Sequence, residues 1–280
     1  MPTDYEAEYD NRARVPGYPA IFARWEQDSE KYRAATAASG RAELGIAYGG
    51  SARQFVDIFN AQADDPPVAL FLHGGYWRAF EPRFFSFVAE GLNACDVTVA
   101  IAGYDLAPQV SIGEIVAQVR KSCLFLWERY NRRIRVFGHS AGGHLAACLL
   151  ATDWPSLDPT VPQDLVPAAY SISGLFDLAP FVHLKLNQDL RLDEEQARAQ
   201  SPVLWPAPAG RIFDAVVGAS ESHEYLRQSR LIVDEWGRRG VRARYAEIPG
   251  ANHFTALDPL TDATSGMVRR IAELCRTDGA

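Results

Sequence analysis

Short apolar runs alternate with longer stretches of helical period along most of this chain. Runs at 68–72, 97–102, 134–137, 168–173, 212–218 and 242–248 draw largely on Val, Ile, Ala and Phe, as the strands of a covered parallel sheet do. Segments 44–48 and 54–59, divided by Gly49-Gly50-Ser51, predict an antiparallel hairpin at the sheet edge. Between the strands, apolar positions recur at spacings of three and four, as at Ile115, Val119, Cys123 and Leu126. They predict helices over 83–93, 112–130, 143–151, 223–239 and 263–276. The expected fold class is α/β, a mostly parallel sheet of about eight strands with helices on both faces.

Two segments do not fit that alternation. The first forty residues carry Tyr5, Tyr9, Tyr18, Phe22, Trp25 and Tyr32, too many aromatic rings for a disordered tail, and predict a helix-containing arm packed on the body. Segment 177–208, with its prolines and the run Asp193-Glu194-Glu195, predicts a short excursion that could form a small cap. No internal repeat interrupts the pattern. A chain of 280 residues with 48% hydrophobic content can bury one large core, so a single domain over 1–280 is expected.

A net charge of −7 argues against a nucleic-acid partner, which would need a concentrated basic surface. The densest basic cluster, Arg132, Arg133 and Arg135, reads as a solvated turn beside a strand. No apolar run approaches the roughly 20 residues that span a bilayer. The opening residues Met1-Pro2-Thr3-Asp4-Tyr5-Glu6 lack a charged region followed by an apolar one, so no secretory leader is expected. Cys95, Cys123, Cys148 and Cys275 are widely spaced and read as free thiols of a reducing compartment. The expected location is cytoplasmic and the expected partner is a small-molecule substrate, with neither nucleic acid nor membrane. A homodimer stays open.

The chemistry concentrates at Gly138-His139-Ser140-Ala141-Gly142, which follows an apolar run and precedes a helix-forming segment. That is the setting of a nucleophile elbow, in which a serine hydroxyl stands clear of the sheet beside a helix N-terminus. The bland alternative is a small-residue connection without chemistry. His73-Gly74-Gly75-Tyr76-Trp77 follows strand 68–72, and its glycines leave backbone N–H groups unshielded. The expected oxyanion hole is Gly74, Gly75 and Tyr76 together with Ala141. His253, after the last strand, is the expected base, and Glu221, after the strand before it, the expected acid. Asp214, Glu224 and Asp177 are alternative acids. The substrate-binding candidates are His73, Tyr76, Trp77 and His139, although core packing explains the rings of Tyr76 and Trp77 nearly as well. The chain order Ser140, Glu221, His253 is that of the α/β-hydrolase fold. The six histidines are scattered, and neither a metal-ligand spacing nor a dinucleotide or phosphate loop occurs, so no metal or cofactor is expected.

His73-Gly74-Gly75-Tyr76-Trp77 and Gly138-His139-Ser140-Ala141-Gly142-Gly143-His144-Leu145, with Ser173-Gly174-Leu175-Phe176-Asp177-Leu178 and the segment opening Glu221-Ser222-His223-Glu224, resemble the kynurenine formamidases. These lie close to the hormone-sensitive-lipase-like esterases among the α/β-hydrolases. The resemblance runs from about Tyr48 onward and implies a Ser-acid-His triad at Ser140, Glu221 and His253. The eukaryotic members usually have aspartate where this chain has Glu221, a difference that bears on substrate more than on mechanism. Related esterases commonly have arginine at the position of Asp105 in Tyr104-Asp105-Leu106-Ala107-Pro108. The implied activity is cleavage of a small aromatic amide or ester through an acyl-enzyme. N-acylanthranilate amidase, short-chain carboxylesterase and acyl-transfer activities use the same residues, and a catalytically silent binding protein is the non-enzyme alternative.

Overall fold

The computed structural model describes residues 3–277, so Met1 and Pro2 of the expected arm and 278–280 of the expected domain lie outside the described residues. The chain opens with helices α1 (Tyr5–Tyr9), α2 (Asn11–Arg14) and α3 (Tyr18–Ala38), followed by the edge strands β1 (Ala42–Ala47) and β2 (Phe55–Phe59). Strand β3 (Val68–Leu72) leads through a 3-10 helix (Pro82–Ala89) and α4 (Glu90–Ala94) to β4 (Thr98–Ala102). Helix α5 (Ile112–Tyr130) precedes β5 (Arg135–His139), and α6 (Ala141–Leu150) precedes β6 (Ala168–Ile172). The excursion holds the 3-10 helix Ala179–His183, α7 (Asn187–Leu190), α8 (Glu194–Ala199) and the 3-10 helix Pro202–Leu204. Strand β7 (Ile212–Gly218), α9 (His223–Gly237), β8 (Arg242–Ile248) and α10 (Gly266–Arg276) complete the order.

The eight strands form one sheet in the order β1-β2-β4-β3-β5-β6-β7-β8, antiparallel at β1–β2–β4 and parallel elsewhere. This is the α/β-hydrolase fold. Alternate side chains of β3 enter opposite cores, as the period of two requires. Leu70 and Leu72 join the core that holds Ile115, Leu145 and Ile232, whereas Ala69 and Phe71 join the one that holds Trp25, Leu92 and Ile271. The topology positions the site. After β3 the chain steps to β4 on one side and then returns past β3 to β5 on the other, so the carboxyl ends of β3 and β5 flank a crevice at the reversal.

Helix α5 has the expected bounds because both ends are chemically marked. Ser111 and Glu114 form a reciprocal capping box, and Asn131 ends the helix in the left-handed region at φ 48°. The helix expected over 83–93 instead divides into a 3-10 segment and α4, with Phe85 off helical geometry at φ −119°. Phe85 is buried against Trp25 and Phe71, at ring-centroid distances of 5.6 and 5.9 Å, and that packing overrides local helix propensity. Strand β5 runs two residues beyond its apolar run because Gly138 and His139 still pair with Ser171 and Ile172. Helix α6 begins two residues earlier than expected, immediately after Ser140.

Helix α3 is largely polar, and its place is set by Trp25, which is 2% exposed amid Phe22, Phe84, Phe85, Phe87 and Phe254. Two histidines are sealed into the core. His73 stacks on Tyr104 at 4.3 Å, and its Nδ1–H donates to the Gly74 carbonyl at 2.8 Å. Its Nε2 has no partner among the described residues. His144 accepts from Trp77 Nε1 at Nδ1 and donates from Nε2 to the Gln200 carbonyl at 2.8 Å. Burial pushes both imidazoles down to about 4.

Two expectations follow. Trp25→Ala leaves a cavity where arm and body meet and should cost about 3–5 kcal/mol, read as a lower urea midpoint; an unchanged midpoint would contradict the anchoring role. For the histidines, the folded protein refuses protons that the unfolded chain takes up below about pH 6.5. Their stabilisation is therefore complete above that pH and is lost progressively as pH falls toward about 4. Between pH 7 and pH 5 the urea midpoint should drop, and His144→Gln should flatten the drop. A variant that keeps the full pH dependence would rule out His144 as a contributor.

Candidate active site

Ser140 joins β5 to α6 with φ 58° and ψ −120°, a conformation that side-chain-bearing residues rarely adopt. The packing around it holds that geometry. A Cβ at Gly142 would lie 1.9 Å from the Leu72 carbonyl oxygen, so only glycine lets the start of α6 press against the end of β3. A Cβ at Gly74 would come within 3.0 Å of Ser140 Cβ, which brings the bare backbone of the glycine turn alongside the serine. Among the described residues, the N–H groups of Gly74, Gly75, Tyr76 and Ala141 have no hydrogen-bond acceptor within the protein. The turn continues with Tyr76 and Trp77 at φ 51° and 56°.

Glu221 follows β7 and His253 follows β8, and the structure brings their side chains together. Glu221 Oε2 lies 2.7 Å from His253 Nδ1, with the two side chains 1% and 5% exposed. The other carboxylate oxygen accepts from the Ser173 hydroxyl at 2.5 Å and the Gly218 N–H at 2.7 Å. An Nδ1–H donating to Glu221 leaves Nε2 as the unprotonated nitrogen of a neutral ring. His139 donates from Nε2 to the His253 carbonyl at 2.8 Å and so braces the loop that carries it. Burial, reinforced by the charge His253 can carry, holds His139 well below the ordinary histidine range.

Ser140, His253, His139, Gly74, Gly75 and Tyr76 line one pocket of about 510 Å³. Aromatic side chains from distant parts of the chain, Phe22, Trp25, Phe80, Phe85 and Phe254, form its apolar wall. Two expected members are absent from that wall. Trp77 is fully buried, its Nε1 committed to His144 and its ring edge-on to that imidazole at 5.1 Å. His73 is likewise fully buried, between Tyr104 and Phe85, and supports the turn from below.

The alternative acids have other partners. Asp214 lies within β7 and pairs with Arg270 at 2.7 Å. Glu224 accepts from the Tyr9 hydroxyl at 2.8 Å and pairs with Arg227, which also reaches Asp177. The pocket contains residues that sequence reasoning did not single out, notably Asn11 of α2 and Leu184 and Leu186 of the excursion. The aromatic spacing of the arm marked it as packed, but no pattern marked Asn11. Ser173, at φ 54° and the first residue of the Ser173–Leu178 segment, supports the carboxylate of Glu221, a role that the segment's resemblance did not assign.

Among the described residues, no group of three or more His, Cys, Asp or Glu side chains could hold a metal ion, and no helix is long and apolar enough to cross a membrane. The four cysteines are unpaired, three of them buried.

Comparison with known proteins agrees with the architecture. The family model described as the alpha/beta hydrolase fold matches residues 69–257. The kynurenine formamidase of Salmo salar is 30% identical over 229 residues, covering 78% of this chain and 77% of that protein. The corresponding enzyme of Danio rerio is 28% identical over the same shares. A crystal structure from Silicibacter sp. tm1040, classed provisionally as a thioesterase, superposes with a TM-score of 0.87 at 30% identity, covering 96% of this chain and 99% of that one. The chain therefore belongs to the α/β-hydrolase family, in the company of the kynurenine formamidases.

Proposed function

We propose that this protein is a serine hydrolase that cleaves a small aromatic amide of the arylformamide type, with Ser140 as nucleophile, His253 as base and Glu221 as the acid that orients it. The observation that carries the reading is the buried Glu221–His253 pair opening onto the same pocket as a serine held in an elbow conformation. Kynurenine formamidases among the relatives, and an aromatic pocket wall, favour an aryl amide.

In this mechanism the Ser140 hydroxyl adds to the substrate carbonyl while its proton passes to His253 Nε2. The carbonyl oxygen becomes an oxyanion and is met by N–H groups of the Gly74-Gly75-Tyr76 turn and Ala141, each worth about 3–4 kcal/mol in comparable sites. The amine leaves with the proton held by His253; water, deprotonated by the same nitrogen, then attacks the acyl carbonyl, and His253 returns that proton to the Ser140 oxygen as the acid departs. Glu221 keeps the ring in the required tautomer and stabilises its protonated form. Its second oxygen, held by Ser173 and Gly218, limits rotation of the carboxylate.

Ser140→Ala and His253→Ala should lower kcat on N-formylkynurenine by at least about 10⁴-fold, and Glu221→Gln by a comparable factor, with circular dichroism unchanged. A panel with N-acylanthranilates and aryl esters would rank the substrate classes. Near-normal turnover by Ser140→Ala would overturn the assignment; full activity in Glu221→Gln would move the acid elsewhere.

A further inference from the structure

The pocket holds one hydrogen-bonding group whose unused capacity can be deduced from its neighbours. Asn11, the first residue of α2, lines the pocket and directs its Nδ2 at two phenol oxygens, Tyr76 at 3.1 Å and Tyr225 at 2.9 Å. The Tyr76 oxygen also lies 2.6 Å from the Tyr9 carbonyl, which can only accept, so the single Tyr76 proton is committed there. The 2.7 Å contact between the phenol oxygens must then use the Tyr225 proton. With both phenolic protons spent, the two oxygens can only accept from Asn11. This fixes the amide orientation, with nitrogen toward the phenols and Oδ1 turned away. Burial raises the pKa of both phenols, which keeps those protons in place.

Asn11 Oδ1 accepts no hydrogen bond from any described residue, yet it is not among the sealed, unpartnered polar atoms, so solvent reaches it. The residue is only 5% exposed, and what is exposed borders the pocket. The acidic side chains nearby are engaged. Glu6 accepts from the Lys185 N–H, Asp10 caps α2 through the Ala13 N–H, and Asp189 pairs with Arg78. Oδ1 is therefore a neutral acceptor open to the pocket that also holds the donor N–H groups around Ser140 and the His253 ring.

That complement suits an amide, which offers a carbonyl oxygen to the donors and an N–H to the acceptor; an ester has no such hydrogen. Resting on the assignment of Ser140 as nucleophile, we infer that Asn11 Oδ1 accepts the N–H of the scissile amide and makes Asn11 the residue that favours amides over matching esters. A site built to accept an N–H leaves its acceptor unpaired when the analogue lacks that hydrogen, which penalises the analogue.

The test compares an aryl formamide with the formate ester of the same aryl group. Asn11→Leu should lower kcat/KM for the amide about tenfold or more beyond any loss on the ester. Tyr225→Phe, which disturbs the phenol network but retains Oδ1, should affect both substrates by similar factors. Equal losses on amide and ester in Asn11→Leu would overturn the inference, because a purely supporting role for Asn11 predicts that result. If Asn11→Leu does not fold, binding of the same two compounds to Ser140→Ala, measured calorimetrically, decides the matter. The amide should bind several-fold more tightly, and equal affinities would reject the contact. Full turnover of both compounds by Ser140→Ala would instead remove the nucleophile assignment, a separate failure.

Discussion

The site depends on how closely the start of α6 is pressed against the carboxyl end of β3. With the Leu72 carbonyl 1.9 Å from where a Cβ at Gly142 would stand, the backbone has no room for a side chain there. The turn from β5 to α6 is correspondingly sharp and holds Ser140 at φ 58°. The strain is of order 1–3 kcal/mol and is sustained by the fully buried strands on either side. One close approach thus sets the serine, the helix N-terminus behind it and the glycine turn beside it.

Around that point, long-range contacts set the electrostatics. Glu221 and His253 are 32 residues apart and reach each other because β7 and β8 are adjacent parallel strands that end at the same edge. The cost of burying the carboxylate is offset by donors on each oxygen, from His253 on one side and from Ser173 and Gly218 on the other. His139, kept neutral by burial, holds the His253 carbonyl.

The N-terminal arm takes part in these long-range contacts. Tyr9 bonds Glu224 and Gln228 of α9, and Asn11 bonds Tyr76 of the glycine turn and Tyr225 of α9. Trp25 and Phe22 close the aromatic wall beside Phe254, the neighbour of His253. A segment with little amphipathic periodicity of its own therefore contributes both the support of the turn and a face of the pocket.

Much of the architecture was legible in the sequence, because strands covered on both faces must be apolar throughout and helices between layers must carry a stripe. Strand bounds at 68–72 and 212–218 and helix bounds at 112–130 followed from those rules. The glycine-flanked Ser140 and the loop positions of Glu221 and His253 were also legible, since turn chemistry and chain order are local properties. Side-chain direction was not. Trp77 and His73 share a turn with Tyr76, yet Trp77 packs on His144, His73 stacks on Tyr104, and Tyr76 lines the pocket. Asn11 carries no local signal whatever, because its role depends on two phenols 65 and 214 residues away. The sequence by itself determined the order of layers and the residues available at the strand ends. Only the tertiary structure decided which of them face a common space, because a hydrogen bond or close contact needs atoms placed to within tenths of an ångström, and that placement comes from packing across the whole fold.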